Sequence, residues 1–273
     1  MINHVTRQLF TRLGLYPGKP VQPERLRSLV DAMCVTPTGQ DLIRIGPEGD
    51  GGYLLPDDLD GIGTCFSPGV ADCSDFELEL ANRGMRVYLA DRSVDGPAVA
   101  DDRFSFVKKF LASTTDEDAG LVTLDDWCRD ALGDAYGDTT EMLLQMDIEG
   151  AEYEVLHNIP DALLLRFRIV VIELHRLHQL VDRFAFRFME AALRKLLRTH
   201  AVVHLHPNNH RHALRYAGLE IPSHMEVTLL RRDRLTPGSA DRVFPHPLDR
   251  ECNPRKPALV LPACWYRESR AHQ

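Results

Sequence analysis

The sequence predicts an α/β fold, a mostly parallel sheet with helices on both faces. Three observations carry this expectation. Apolar runs of strand length recur along the chain, at 62–67, 85–90, 142–146, 169–172, 201–206 and 226–230. Helix start signals or helical periodicity fill most of the gaps between them. Several runs close on glycine or on an acid, as strands do where a sheet hands over to a loop. Alternation of this kind builds βα units, whose strands are buried on both faces and read as nearly continuous apolar runs.

The elements follow in order. Leu26, Leu29, Val30 and Met33 recur at i, i+3, i+4 and i+7, which is one helix face, and Pro23 suits its first turn. Gly14, Pro17, Gly18 and Pro20 part this helix from a shorter helical pattern before it. Leu42-Ile43-Arg44-Ile45 and Tyr53-Leu54-Leu55-Pro56 flank a glycine-rich turn and read as two short strands. The run at 62–67 ends at Pro68-Gly69. Ser74 and Glu77 have the spacing of a capping box opening a helix to about Asn82, with Gly84 as its stop. The strand at 85–90 closes at Asp91, and 104–110 supplies another. Thr123 caps a short helix ending near Gly133. The run at 142–146 closes at Asp147, a helix spans 151–159, and 169–172 closes at Glu173. A long amphipathic helix at 181–198 is expected to bury Phe184, Phe188, Ala191, Ala192 and Leu196. Strands at 201–206 and 226–230 complete the series.

Composition narrows the function. A chain of 273 residues can build a sizeable core without staples, as one domain or two. With 32 Lys and Arg against 40 Asp and Glu, the formal charge is −8, so no global positive field favours nucleic acid. No stretch approaches the roughly 20 apolar residues of a membrane span. The N-terminus lacks a cationic lead into an apolar block, so a cytoplasmic protein is expected. The six cysteines are scattered with no C-x-x-C pair, which argues against a disulfide framework and against a zinc knuckle.

In open α/β sheets ligands bind beyond the carboxyl ends of the strands. The strand-end residues therefore form the candidate site. Gly69 allows close backbone approach, the helix after it offers free N–H groups, and Asp91 follows 22 residues later, near the spacing of a ribose-binding acid. The absence of G-x-G-x-x-G counts against a pyrophosphate-bearing dinucleotide. Asp147 and Glu149 lie two apart, so an extended chain points both the same way. Buried acids are costly without a task or a counter-charge. Glu152 and Glu154 fall in the next helix's first turn, where carboxylates complement the dipole. Glu173 and His175 repeat the two-residue spacing, and His204 and His206 end a later strand. A carboxylate and an imidazole there suit a divalent cation or the deprotonation of a hydroxyl. With 12 histidines in the chain, chance clustering is the alternative.

Asp50-Gly51-Gly52-Tyr53, Ser67-Pro68-Gly69-Val70-Ala71-Asp72, Thr123-Leu124-Asp125-Asp126-Trp127 and Asp147-Ile148-Glu149-Gly150-Ala151-Glu152 together resemble the FkbM-type S-adenosylmethionine-dependent methyltransferases. His204-Leu205-His206-Pro207-Asn208-Asn209 and Glu226-Val227-Thr228 fit the same group. Pro68 and a single glycine stand where the family carries a glycine-rich first motif. The resemblance implies a Rossmann-like, seven-stranded methyltransferase sheet whose last strand is antiparallel. With it, the strand count favours one methyltransferase domain at 41–232, between an N-terminal helical extension at 1–40 and a proline-rich tail at 233–273 that packs on the domain.

The same resemblance implies O-methyl transfer to a sugar, polysaccharide or glycosylated metabolite. Ser67, Gly69, Asp91, Arg92 and Asp147 would contact S-adenosylmethionine. Asp147, Glu149, His175 and His206 are the catalytic candidates. Asp147, Glu173 and His175 are the candidate ligands of a divalent cation such as Mg or Mn. The expected partner is a small-molecule or glycan acceptor, with an oligomer left open. An NAD-dependent oxidoreductase and a non-catalytic glycan-binding protein on the same fold are the rival readings.

Overall fold

The computed structural model describes residues 18–237 and 243–266, so the helical pattern expected before Gly14 lies outside the described residues. Helix α1 (Pro23–Ala32) leads into an antiparallel hairpin of β1 (Leu42–Ile45) and β2 (Tyr53–Pro56). The chain continues through β3 (Thr64–Pro68), α2 (Asp75–Asn82), β4 (Arg86–Ala90) and β5 (Phe104–Val107). A two-strand ribbon, β6 (Phe110–Leu111) with β7 (Leu121–Val122), precedes α3 (Leu124–Leu132). Next come β8 (Met142–Met146), α4 (Glu152–Asn158), α5 (Asp161–Leu164), β9 (Phe167–Leu174) and α6 (Arg183–Thr199). The last strands are β10 (His200–Pro207), a small hairpin of β11 (Leu214–Tyr216) and β12 (Leu219–Ile221), and β13 (Met225–Arg231).

Seven strands form one sheet in the order β10-β13-β9-β8-β3-β4-β5. β13 runs antiparallel to both neighbours, and every other pairing in this sheet is parallel. This is the seven-stranded mixed sheet, with its last strand reversed, that the resemblance implies. The period of two along β9 divides the core. Ile169 and Val171 join a cluster with Phe76, Leu80 and Leu143, under α2 and the β1–β2 hairpin. Val170 and Ile172 join the opposite cluster with Leu26, Trp127, Phe186 and Leu196 from the helices of the other face. Phe66 on β3 stacks on Tyr88 at 4.9 Å and meets Trp127 edge-on at 4.9 Å. Truncating such a ring costs about 3–5 kcal/mol.

Two local expectations are corrected. Ser74 does not cap α2 through its side chain, because its Oγ accepts from the Ala98 amide at 3.1 Å while Glu77 turns inward to Ser67. On α6 the buried stripe is Phe186, Met189, Ala192, Leu193 and Leu196, while Phe184 is 85% exposed and Phe188 47%. The stripe at 186, 189, 193 and 196 keeps continuous helical spacing, and the two other phenylalanines fall outside it. Thr123 does cap α3, its side chain accepting from the Asp126 amide at 3.1 Å.

Candidate active site

Strand order reverses at β3, which has β4 on one side and β8 on the other. The loops leaving β3 and β8 are packed against each other there. Gly69 donates its amide to Ala90 O at 2.9 Å, and Asp147 donates to Pro68 O at 3.2 Å. Gly69 has φ +86°, and a Cβ on it would lie 1.6 Å from the carbonyl oxygen of Asp147. Only glycine fits where the two chains touch.

A cavity of about 610 Å³ opens beside this contact, lined by Gly69, Asp91, Ser93, Phe110, Leu111 and Ile148, among others. The Asp91 carboxylate accepts from the amides of Ala71 (3.0 Å) and Ser93 (2.7 Å) and from the Ser93 hydroxyl (2.6 Å). Burial raises its pKa, but these hydrogen bonds outweigh that and hold it below the usual carboxylate range. Asp91 thus fastens the β3 turn to the end of β4 as well as facing the cavity. Arg92 is exposed, lies against Gly120 and is not among the residues lining the cavity. Ser67 is fully buried in a chain with Glu77, Gln145 and Tyr53, its Oγ 2.8 Å from Gln145 Oε1. Glu77 has its pKa pushed up to about 6 by burial, against the lowering effect of the Ser67 hydrogen bond.

A second cavity, of about 550 Å³, is lined by Asp50, Asp147, Glu149, Glu173, His175 and Asn208, with basic groups such as Arg211 and Lys256 also in its wall. A smaller pocket of about 230 Å³ lies between Tyr53, Phe76 and Gln145. Asp147 lines all three spaces, and Glu149 lines both larger ones. The chain does not arrive at these acids as an extended strand, since β8 ends at Met146 and Glu149 has φ +58°. Burial pushes the Asp147 carboxyl up to about 7, while His175 opposes the rise and neighbouring acids add to it. Glu173 is raised well above the carboxylate range, first by burial and then by Asp147 and Glu226, although Asn208 donates to it at 2.9 Å.

His175 joins these groups. Its Nδ1 is 2.9 Å from Glu152 Oε1, and its backbone carbonyl accepts from the Tyr153 hydroxyl at 2.7 Å. Its Nε2 stands 3.7 Å from Asp147 Oδ1 and 3.5 Å from Glu149 Oε2, within ion-pair reach but too long for firm hydrogen bonds. Burial lowers its pKa, yet Glu152, Asp147 and Glu149 together raise it above the ordinary histidine value. Ligand atoms of Asp147, Glu173 and His175 all lie within 4.8 Å of one another. Two carboxylates and one imidazole, with acids raised by burial, are a donor set that fits a hard divalent cation.

His206 takes a different place. It is absent from the lining of the three cavities, and its Nδ1 faces Asp249 Oδ2 at 3.6 Å. Asp249 also meets His204 Nε2 at 2.8 Å. Sequence reasoning missed the contact of Glu152 with His175, since a carboxylate in a first helical turn already has an electrostatic explanation. Asp50, noted in the sequence only as part of the resemblance, is brought to the site by the β1–β2 turn. The third acid of the Asp147-x-Glu149-x-x-Glu152 run was the available signal.

Known proteins were compared with the chain once this geometry was in hand. A search of curated proteins finds no match. Among solved structures, a chain of a fibrillarin/Nop5p complex is 12% identical, covering 63% of this chain and 74% of that one, with a TM-score of 0.37. A mutant form of a 16S rRNA (adenine(1408)-N(1))-methyltransferase from Catenulisporales acidiphilia is 13% identical, covering 74% and 100%, with a TM-score of 0.31. The fold assignment rests on the strand order itself. No helix among the described residues is long and apolar enough to cross a membrane. Residues 99–199, which run from before β5 to the end of α6, match the family profile described as Methyltransferase FkbM domain. Over those residues the chain resembles an FkbM-type methyltransferase domain, a family that implies S-adenosylmethionine as methyl donor.

Proposed function

We propose that the protein transfers a methyl group from S-adenosylmethionine to a hydroxyl, on a sugar, polysaccharide or glycosylated metabolite. The observation that carries this reading is the meeting of the two larger cavities at Asp147 and Glu149, with His175 in the acid-lined one. The cofactor supplies an electrophilic methyl carbon. Gly69, Asp91 and Asp147 line the donor side, whose apolar wall of Phe110, Leu111 and Ile148 suits an adenine ring. On the acceptor side a new O–CH₃ bond forms as the S–CH₃ bond breaks, and the hydroxyl proton goes to His175 Nε2. Glu152 holds the opposite nitrogen as N–H, so that Nε2 is the basic one. Placing donor and acceptor in two adjoining cavities supplies the in-line approach that such a displacement needs.

Asp147, Glu173 and His175 fit a divalent cation in the same place, which would lower the hydroxyl's pKa. The two versions differ in what His175 does, and chelation separates them. Thermal shift with S-adenosylmethionine, S-adenosylhomocysteine and NAD tests the reading as a whole. Stabilisation by the two sulfur nucleosides is expected, and stabilisation by NAD alone overturns it. Release of S-adenosylhomocysteine with hydroxylated sugars as acceptors then tests turnover. Activity that survives rigorous chelation removes the cation and leaves His175 and the acids as acid–base groups.

A further inference from the structure

We propose that His206, Glu226 and Cys252 form a zinc site that fastens the C-terminal segment to the edge of the sheet. The three residues come from β10, β13 and the segment after 243. His206 and Glu226 are register partners on adjacent antiparallel strands, so their side chains stand together. Cys252 returns along the chain to place its Sγ 3.1 Å from Glu226 Oε1. Ligand atoms of all three lie within 4.8 Å of one another, and each residue is buried, at 4%, 7% and 7% exposure.

The second observation is the imidazole itself. His206 turns Nδ1 to Asp249, and its Nε2 is buried with no hydrogen-bond partner. A buried polar atom left this way costs about 1–3 kcal/mol. A carboxylate on one ring nitrogen and a free second nitrogen is the arrangement that metal-bound histidines adopt. Without a metal, the Cys252 thiol donates to Glu226, which satisfies the sulfur but leaves His206 Nε2 unused. Glu251, next to Cys252, also has a buried oxygen without a partner and is the candidate for a fourth ligand.

Thiolate, imidazole and carboxylate in one buried cluster select zinc over magnesium or calcium, which take oxygen ligands. Binding releases the Cys252 thiol proton and any proton on His206, so the thiolate and the Glu226 carboxylate balance the dication. The cluster shares no residue with Asp147, Glu173 and His175, and none of its members lines the three cavities. Spacing along the chain argued against zinc because the ligands are 20 and 26 residues apart. Cross-strand register and the returning tail bring them together.

The test loads the chelator-stripped full chain with Co²⁺ and then titrates Zn²⁺. The expected result is a near-ultraviolet thiolate-to-cobalt charge-transfer band that grows to one equivalent and is displaced by zinc. Cys252→Ser abolishes the band, whereas His175→Gln leaves it in place. Asp249→Asn keeps the band and weakens zinc binding about 10- to 100-fold, as expected for loss of a residue that orients a metal ligand. Absence of the band in the wild-type chain overturns the proposal, and so does its persistence in Cys252→Ser. S-adenosylhomocysteine binding, measured on the same samples, reports on the methyltransferase reading separately.

Discussion

Glu152 Oε1 lies 2.9 Å from His175 Nδ1, and this contact decides which nitrogen of the ring is left for chemistry. Glu152 is fully buried and also accepts from the Gly150 amide at 2.9 Å. Glu152→Gln is expected to lower kcat about 10- to 100-fold, as other orienting partners of histidine do. Glu152 raises the His175 pKa, so its loss lets that pKa fall, and the basic form then persists to lower pH. The acid limb of the kcat/KM profile should therefore move to lower pH. A limb that stays where it is would remove His175 as the base.

Asp91→Ala is expected to weaken S-adenosylhomocysteine binding. Three donors already occupy the carboxylate, so the substitution also frees the turn at Ala71. Hydrogen bonds to a charged group are worth about 1.5–3 kcal/mol, which corresponds to a loss in affinity of roughly 10- to 100-fold. Calorimetric titration checks this, and an unchanged Kd takes Asp91 out of the cofactor site.

Gly69 and Gly84 separate two effects of adding one methyl group. Both have positive φ, +86° and +97°, but a Cβ on Gly84 meets nothing within 4 Å. Gly84→Ala should cost only the left-handed conformation, about 1–2 kcal/mol. Gly69→Ala drives its Cβ into the backbone of Asp147, beyond the about 1–3 kcal/mol of ordinary overpacking, and should abolish cofactor binding. Denaturant unfolding of both variants, with cofactor titration, is the measurement. Equal stability losses would contradict the close approach at the strand ends.

Glu77 gives a pH signature. Its pKa rises from 4.5 unfolded to about 6 folded, so the native state favours the proton. That contribution is complete below about pH 4.5 and is lost as pH rises through about 6. At pH 7 the ionised group costs roughly 2 kcal/mol by the usual conversion of a pKa shift to free energy. Glu77→Gln, which keeps the shape and an acceptor for the Ser67 hydroxyl, should stabilise the protein at pH 7 by about that amount and by nothing near pH 4.5. A pH-independent difference would show that Glu77 does not titrate in this range.

Most of the sheet was legible in the sequence because its central strands are buried on both faces and apolar throughout, as at Ile169-Val170-Val171-Ile172. The strand ends were legible for the same reason, since Asp91, Asp147 and Glu173 stand out where apolar runs stop. Side-chain choices among several partners were not. Ser74 has the spacing of a cap, but the Ala98 amide competes for its oxygen, and that partner is set by the tertiary fold. The face of α6 was misplaced because aromatic residues lie on two sides of it, and only packing selects Phe186 over Phe184. Glu152 and Asp50 reach the site through turns whose backbone conformation no local pattern specifies. His206 looked like His175 in sequence, and strand order alone carries it to the far edge of the sheet.

The cavity proposed for the donor is lined entirely by residues from Gly69 to Glu154, whereas the acid cavity draws on residues from Asp50 to Lys256. On the proposed reading, one side of the reaction is encoded in a single uninterrupted stretch, and the other adds residues from both flanks to the shared Asp147 and Glu149. Change in the flanks can redesign what is methylated while the methyl supply stays intact.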